Sequence, residues 1–259
     1  MVKRETQKRR ALIIEQLRDQ GTVKVDELAV RFAVSEVSIR KDLSELEKSN
    51  FCIRRLGGAI YSDRTQNSTS KLDPVKQALA YSAAQLIAND TRIILDSGRT
   101  TSYLLPQLTH LNGLKVMTNS LPIAHKLTLL PNEPTVLMPG GTWDAKTESF
   151  QGQLAEQMLR FYDFDQLFIG ADGLDPERGT TTFNELMSLS RVMAEVSAQV
   201  IVMAESCKLG RKMPNVELAW SQVDILITDS NLPKQQQQQI EDLGIHVLIA
   251  SMENKQCVE

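Results

Sequence analysis

The chain has 259 residues, 42% of them apolar and 24% charged, which excludes a disordered chain and suffices for one large domain or a small one joined to a larger one. No apolar run approaches the roughly 20 residues that span a bilayer, and MVKRETQKRR lacks the apolar core of a signal peptide, so a cytoplasmic location without membrane attachment is expected. The net charge of −3 divides unevenly: residues 1–60 carry 13 Lys and Arg against 9 Asp and Glu, the remainder 16 against 23, and a basic head on an acidic body suits phosphate binding at one end only.

In chain order, Leu12, Ile13 and Leu17 recur at helical spacing over residues 8–20 and stop at Gly21, a residue suited to the left-handed turn after a helix. After TVKV, Asp26 is placed to cap a second helix with Leu28, Ala29 and Phe32 on its apolar face. Ala33 and Val34 turn tightly into Ser35, the expected N-cap of a third helix whose buried stripe reads as Val37, Ile39, Leu43 and Leu46. Two short helices so closely joined form a helix-turn-helix, here over residues 25–47. Ser35, Glu36, Ser38, Arg40 and Lys41 crowd the leading turns of the third helix, where a recognition helix presents side chains to base edges and phosphates. Asp42, Glu45 and Glu47 follow, an order opposite to the preference of the helix dipole and a sign that function chose it. Residues 51–61 then alternate around Gly57 and Gly58 and predict a β-hairpin wing carrying Arg54 and Arg55, whose planar forks suit phosphate or minor-groove contact.

The stretch TVKVDELAVRFAVSEVSIRKDLSELEKSNFCIRRLGGA resembles the DNA-binding region of the DeoR family of bacterial transcriptional repressors, whose pattern is V-S-x-x-T-I-R-x-D-L-x-x-L-E followed by R-x-x-G-G; Ser38 replaces the more usual Thr and keeps the hydroxyl. The resemblance implies a winged helix-turn-helix over residues 1–61 that binds operator DNA through Ser35, Ser38, Arg40 and Lys41, with Glu36 on the same leading turn and Arg54 and Arg55 in the wing. Polar SDRTQNSTS has no periodicity and marks a linker, residues 62–73.

Beyond it, a helix over about residues 74–88 leads into the apolar runs RIILD, LKVMTNS, PTVLMPGG, QLFIGADG, QVIVMAES, DILITDS and HVLIA, separated by helical stretches. Such alternation predicts an α/β domain, residues 74–252, built on a mainly parallel sheet, with a tail at 253–259. The strands run out into Asp96-Ser97-Gly98-Arg99-Thr100-Thr101, Thr118-Asn119-Ser120, Pro139-Gly140-Gly141 and Gly170-Ala171-Asp172-Gly173. Ligands of open α/β sheets sit at these carboxyl ends, where small and hydroxylated loops expose N–H groups to anions. Glu185 in TTTFNE and Lys208 in ESCKLGRK offer a carboxylate for sugar hydroxyls and a cation for phosphate. Cys52, Cys207 and Cys257 have neither CxxC spacing nor neighbouring histidines, so free thiols are expected, with no metal, cofactor or catalytic residue. Gln235 to Gln239, after Pro233, read as the exposed start of a last helix.

ILDSG-x-TT, TNS, PGG, GADG, TTFNE and S-x-K-x-G-R are similar to the DeoR sensor domain, which is related in fold to ribose-5-phosphate isomerase and the CoA transferases and responds to phosphorylated sugars. VMTNSLPIAHKL, VLMPGGTW, SFQGQLAEQ and LGRKMPNVE look most like the branch that controls sugar-alcohol (glucitol or sorbitol) uptake. The resemblance implies an effector pocket of Asp96, Ser97, Gly98, Thr100, Thr101, Thr118, Asn119, Ser120, Gly140, Gly141, Gly152, Asp172, Glu185 and Lys208. Arg99 departs from the family's usual small residue, and Glu205-Ser206-Cys207-Lys208 from D-S-S-K. A homodimeric or homotetrameric repressor, released from DNA by a phosphorylated sugar or sugar alcohol, is the expected function; an isomerase-like enzyme using Asp96, Asp172, Glu185 and Lys208, or an activator, are the competing readings.

Overall fold

The computed structural model describes residues 2–48, 52–61, 73–145, 147–183, 187–211 and 213–251, arranged as two units, Met1–Leu72 and Asp73–Glu259. Phe51, the linker residues 62–72, Glu185, the tail and Cys257 lie outside the described residues.

The first unit contains α1 (Val2–Gln20), β1 (Thr22–Lys24), α2 (Val25–Arg31), α3 (Glu36–Lys48), β2 (Cys52–Arg55) and β3 (Gly58–Tyr61). Ile13, Leu17, Val25, Leu28, Ile39, Leu43, Leu46 and Cys52 form its core. Gly21 ends α1 with φ +75°, as expected. The TVKV segment is more than a connection: β1 pairs antiparallel with β3, giving sheet order β1-β3-β2. Because β1 runs straight into α2, the extended Lys24 is the N-cap, and Asp26 falls inside the first turn instead of capping. The bend of the wing is Leu56-Gly57, with Gly57 at φ +81°, and Gly58 already belongs to β3. A Cβ at Gly58 would lie 2.2 Å from the Val23 carbonyl oxygen, so only glycine lets β1 and β3 close.

Two side chains of α3 break the rule of apolar inside and charged outside, and Val37 also departs from expectation. Val37 is 73% exposed and belongs to no core. The reason is rotational: residues 37 and 39 are two apart, about 200° around a helix, and cannot share a face with Ile39 buried. Asp42, by contrast, is buried, accepting from Arg9 Nε at 2.6 Å and Arg10 Nε at 2.8 Å, so it ties α3 to α1.

The second unit opens with α4 (Pro74–Ala84), a turn shorter than expected, whose N-cap Asp73 accepts from the N–H groups of Val75 and Lys76. There follow β4 (Arg92–Leu95), α5 (Arg99–Ser102), β5 (Lys115–Thr118), α6 (Leu121–Leu127), β6 (Thr135–Leu137), β7 (Thr142–Asp144), β8 (Ser149–Gln151), α7 (Gln153–Leu159) and β9 (Phe164–Ile169). The chain continues through β10 (Gly173–Asp175), β11 (Gly179–Thr182), α8 (Ser188–Glu195), β12 (Ser197–Met203), β13 (Asn215–Ala219), β14 (Ile225–Asp229), α9 (Lys234–Glu241) and β15 (His246–Ala250). The seven expected apolar runs form one sheet of order β15-β14-β12-β9-β4-β5-β6, parallel throughout. Strand alternation divides its core. Ile93, Leu95, Val116 and Phe168 pack with α4 and α6 on one face, while Ile94, Met117, Leu167 and Ile169 pack with α7, α8 and α9 on the other. Chain order runs outward in opposite directions from the neighbouring β4 and β9, so the sheet has its topological switch point between them. A β7-β8 hairpin and a β10-β11-β13 sheet extend the loops beyond the strand ends.

Candidate functional site

In the first unit the helix-turn-helix is α2 and α3, joined through Ala33 at φ +50°. Ser35 caps α3, its hydroxyl accepting from the Ser38 N–H at 3.3 Å and lying 3.0 Å from the Ser38 hydroxyl, so this pair stabilises the helix start. Arg40 donates to Glu36 at 2.7 Å across one turn with both side chains more than half exposed. A pair so hydrated is worth only about 0.3–0.5 kcal/mol and is readily exchanged for a base or phosphate. Lys41 is exposed on the same side, and Arg54 and Arg55 sit on the exposed half of β2, where Glu47 accepts from the Arg54 N–H. The structure thus brings Glu36, Arg40 and Lys41 onto one exposed helix surface.

In the second unit Asp96, just after β4, is the hub of the switch point. Its carboxylate accepts from Gly98 N–H at 2.9 Å, the Thr101 hydroxyl at 2.7 Å and Gly170 N–H, beyond β9, at 3.1 Å. Burial raises its pKa against these three hydrogen bonds and the charge of Lys208. Ser97 lies in the same loop, and Thr100 and Thr101 are buried in α5, so Thr101 positions the carboxylate. After β5, the Thr118 hydroxyl accepts from Ser120 N–H, and Ser120 caps α6 through Ile123 N–H. Gly140 and Gly141 both have positive φ; a Cβ at Gly141 would lie 2.5 Å from the Gln151 carbonyl oxygen, so the loop after β6 presses directly on β8. Gly152 follows as the N-cap of α7. Asp172 accepts from the Thr182 hydroxyl at 2.7 Å.

Two buried acceptors stand out in this region. Asn119 Oδ1 and Gln151 Oε1 have no hydrogen-bond donor among the described residues, although the side chains are 5% and 6% exposed. They are neighbours through β8: Phe150 N–H donates to the Asn119 carbonyl at 2.8 Å, and Ser149 bridges Ser120. The Gln151 amide NH2 is held by Thr147 at 3.0 Å and Ser149 at 3.1 Å, which turns its oxygen away from them. A single Gln on a three-residue strand carries no sequence signal, and Gln151 went unpredicted.

Lys208 Nζ sits 3.0 Å from Glu205 Oε2, and Glu205 Oε1 is 3.0 Å from Nζ of Lys76, a buried lysine that also meets Asp73 at 2.7 Å. Burial pushes Glu205 upward, but Lys208 and Lys76 outweigh it and hold the carboxyl at about 2. Lys76 was also unpredicted; D-P-x-K at the start of α4 was its only signal. Glu217 on β13, 2.7 Å from the Ser190 hydroxyl, is raised to about 8 by burial and by the charges of Asp172 and Asp96, which places it beside the same group of carboxylates. Burial raises the Cys207 thiol, the reverse of an activated nucleophile. Among the described residues no group of His, Cys, Asp and Glu could hold a metal ion, and no helix is long and apolar enough to cross a membrane. A groove of about 400 Å³ between α7 and α8, lined by Glu156, Arg160, Arg191 and Glu195 among others, includes none of the predicted site residues.

A helix-turn-helix with a wing, followed by an α/β domain with polar strand-end loops, defines a DNA-binding regulator with a small-molecule sensor. Residues 9–65 match the DeoR-like helix-turn-helix domain, and residues 73–230 match the DeoR C terminal sensor domain. The chain is 35% identical over 94% of its length, and 94% of the relative, to the Escherichia coli O157:H7 protein named "Putative aga operon transcriptional repressor". It is 32% identical to the transcriptional repressor AccR of Agrobacterium fabrum, over 89% of this chain and 92% of that one. The chain belongs to the DeoR family: it is a transcriptional repressor, not an enzyme. Ribose 5-phosphate isomerase A of Methanocaldococcus jannaschii is a distant structural neighbour, with TM-score 0.40 and 16% identity over 53% of this chain and 54% of that one.

Proposed function

We propose that this repressor controls a sugar or sugar-alcohol catabolic operon and is released from its operator by a phosphorylated sugar or polyol, with phosphorylated glucitol the model effector. The observation that carries the reading is the pair of buried acceptors, Asn119 Oδ1 and Gln151 Oε1, at the carboxyl ends of the sheet. A buried acceptor without a donor is costly, and a ligand rich in hydroxyl groups supplies donors. Lys208 is the phosphate contact, with Asp96, Ser97, Gly98, Thr118, Asn119, Ser120, Gly140, Gly141, Gly152, Asp172 and Glu185 in or around the pocket and Thr100 and Thr101 supporting it. The E. coli relative is named as the repressor of an operon, in keeping with the operator-binding part of this reading.

On DNA, Ser35, Glu36, Ser38, Arg40 and Lys41 form the reading face and Arg54 and Arg55 the backbone-gripping wing, over a domain of residues 1–61. A cytoplasmic homodimer or homotetramer would place such faces on paired half-sites. The test is a thermal-shift titration of the full chain with phosphorylated hexitols, hexoses and pentoses beside their unphosphorylated forms. At least one phosphorylated polyol or sugar is expected to raise the melting midpoint where its parent does not; no shift with any of them would refute the effector assignment.

A further inference from the structure

Val37, the second residue of α3, is 73% exposed, and the sequence alone reads it as core. Its position on the helix gives the exposure meaning. With about 100° between successive residues, Val37 lies about 60° from Arg40 and about 40° from Lys41. Glu36, Arg40 and Lys41 are exposed with it, while Ile39, Asp42, Leu43 and Leu46 fill the opposing buried arc. A branched aliphatic side chain therefore stands between two cations on the arc that faces away from the domain core. In the major groove, thymine presents a methyl group among hydrogen-bonding donors and acceptors, the natural apolar partner for such a residue.

We propose that Val37 is a specificity-determining residue that packs against a thymine methyl of the operator. The inference rests on the family's DNA-binding assignment and adds a base to it: α3 requires a thymine at the step flanked by the contacts of Arg40 and Lys41. Its β-branched side chain is stiff, so little side-chain freedom is lost on contact.

The test uses the full-length chain. A duplex is enriched from a random pool at low salt, and each thymine is then replaced in turn by deoxyuridine, which removes only the methyl. Losing one buried methyl is expected to weaken binding about fourfold at one or two thymines and nowhere else. Val37→Ala is expected to bind the same duplex with that sensitivity gone, and Val30→Ala, a control altering a residue 83% exposed on α2, to retain it. Wild-type protein indifferent to every thymine methyl, or Val37→Ala still sensitive at the same thymine, would overturn the proposal while leaving DNA binding intact. Failure to enrich any duplex would instead remove the DNA-binding assignment and the proposal with it. Because Val37 contributes to no core cluster, helical circular dichroism of Val37→Ala should match wild type and confirm that the comparison is between folded proteins.

Discussion

Arg40 illustrates how a side chain is kept ready for a partner. Its 2.7 Å pairing with Glu36 is exposed, so breaking it costs little, and the guanidinium fork fits guanine or phosphate better than a single carboxylate held one turn away. Arg40→Ala is expected to weaken operator binding by about 1–3 kcal/mol with effector-induced thermal shifts unchanged, measured by fluorescence anisotropy; wild-type affinity would remove Arg40 from the interface. Lys208 is held differently, 15% exposed and paired to a carboxylate that Lys76 also binds. A phosphate arriving at Lys208 competes with Glu205, which keeps Lys76 as a second cation and so is not left unpaired. Lys208→Ala should therefore bind the operator like wild type and need at least tenfold more phosphorylated polyol for release, seen by titrating effector against the protein–DNA complex. Normal release would exclude Lys208 as a phosphate contact.

Elements differed in how much of them the sequence disclosed. The seven strands of the parallel sheet are aliphatic runs, the central five largely buried and the edge strands β6 and β15 partly exposed, and their composition alone marks them. β1, β7, β8 and β10 are three residues each, too short to show an alternating pattern, and β1 is a strand only through β3, a partner distant in the chain. The same shortness hid Gln151, whereas Glu217 reaches the predicted site because β13 pairs with β11, far earlier in the chain. Val37 was misread because helical phase was assigned from hydrophobicity instead of from angle: it points outward, while the carboxylate of Asp42 is buried under two arginines. Gly58 shows the reverse, a motif glycine whose reason becomes visible only in the β1-β3 pairing. Gly58→Ala would push a methyl into the Val23 carbonyl and is expected to destabilise the winged helix by about 1–3 kcal/mol, lowering its chemical-denaturation midpoint; an unchanged midpoint would mean that β1 pairs otherwise. For β13, the expectation concerns pH. Glu217 has its ordinary pKa near 4.5 when unfolded and about 8 when folded, so the stability it contributes is fully present below pH 4.5 and is lost as pH rises through 8. Glu217→Gln should abolish that decline and melt at least about 2–4 °C above wild type at pH 9, and parallel pH profiles would show that Glu217 does not hold its proton in the fold.

At the scale of the whole molecule, a repressor of this family needs its two units to be energetically linked. An effector can alter DNA affinity only through a difference in its own affinity for the DNA-competent and DNA-incompetent states, and the coupling is reciprocal: operator DNA must weaken effector binding by the same factor. On the proposed reading the basic head draws DNA to one unit, and a few placed groups would capture the ligand in the acidic other. The most direct test is the affinity of the full-length protein for its enriched duplex, by anisotropy at fixed salt, with and without saturating glucitol 6-phosphate. The expected result is a dissociation constant raised about ten- to a hundredfold, with unphosphorylated glucitol inert. An unchanged constant with glucitol 6-phosphate and with every other phosphorylated hexitol, hexose and pentose would contradict the account.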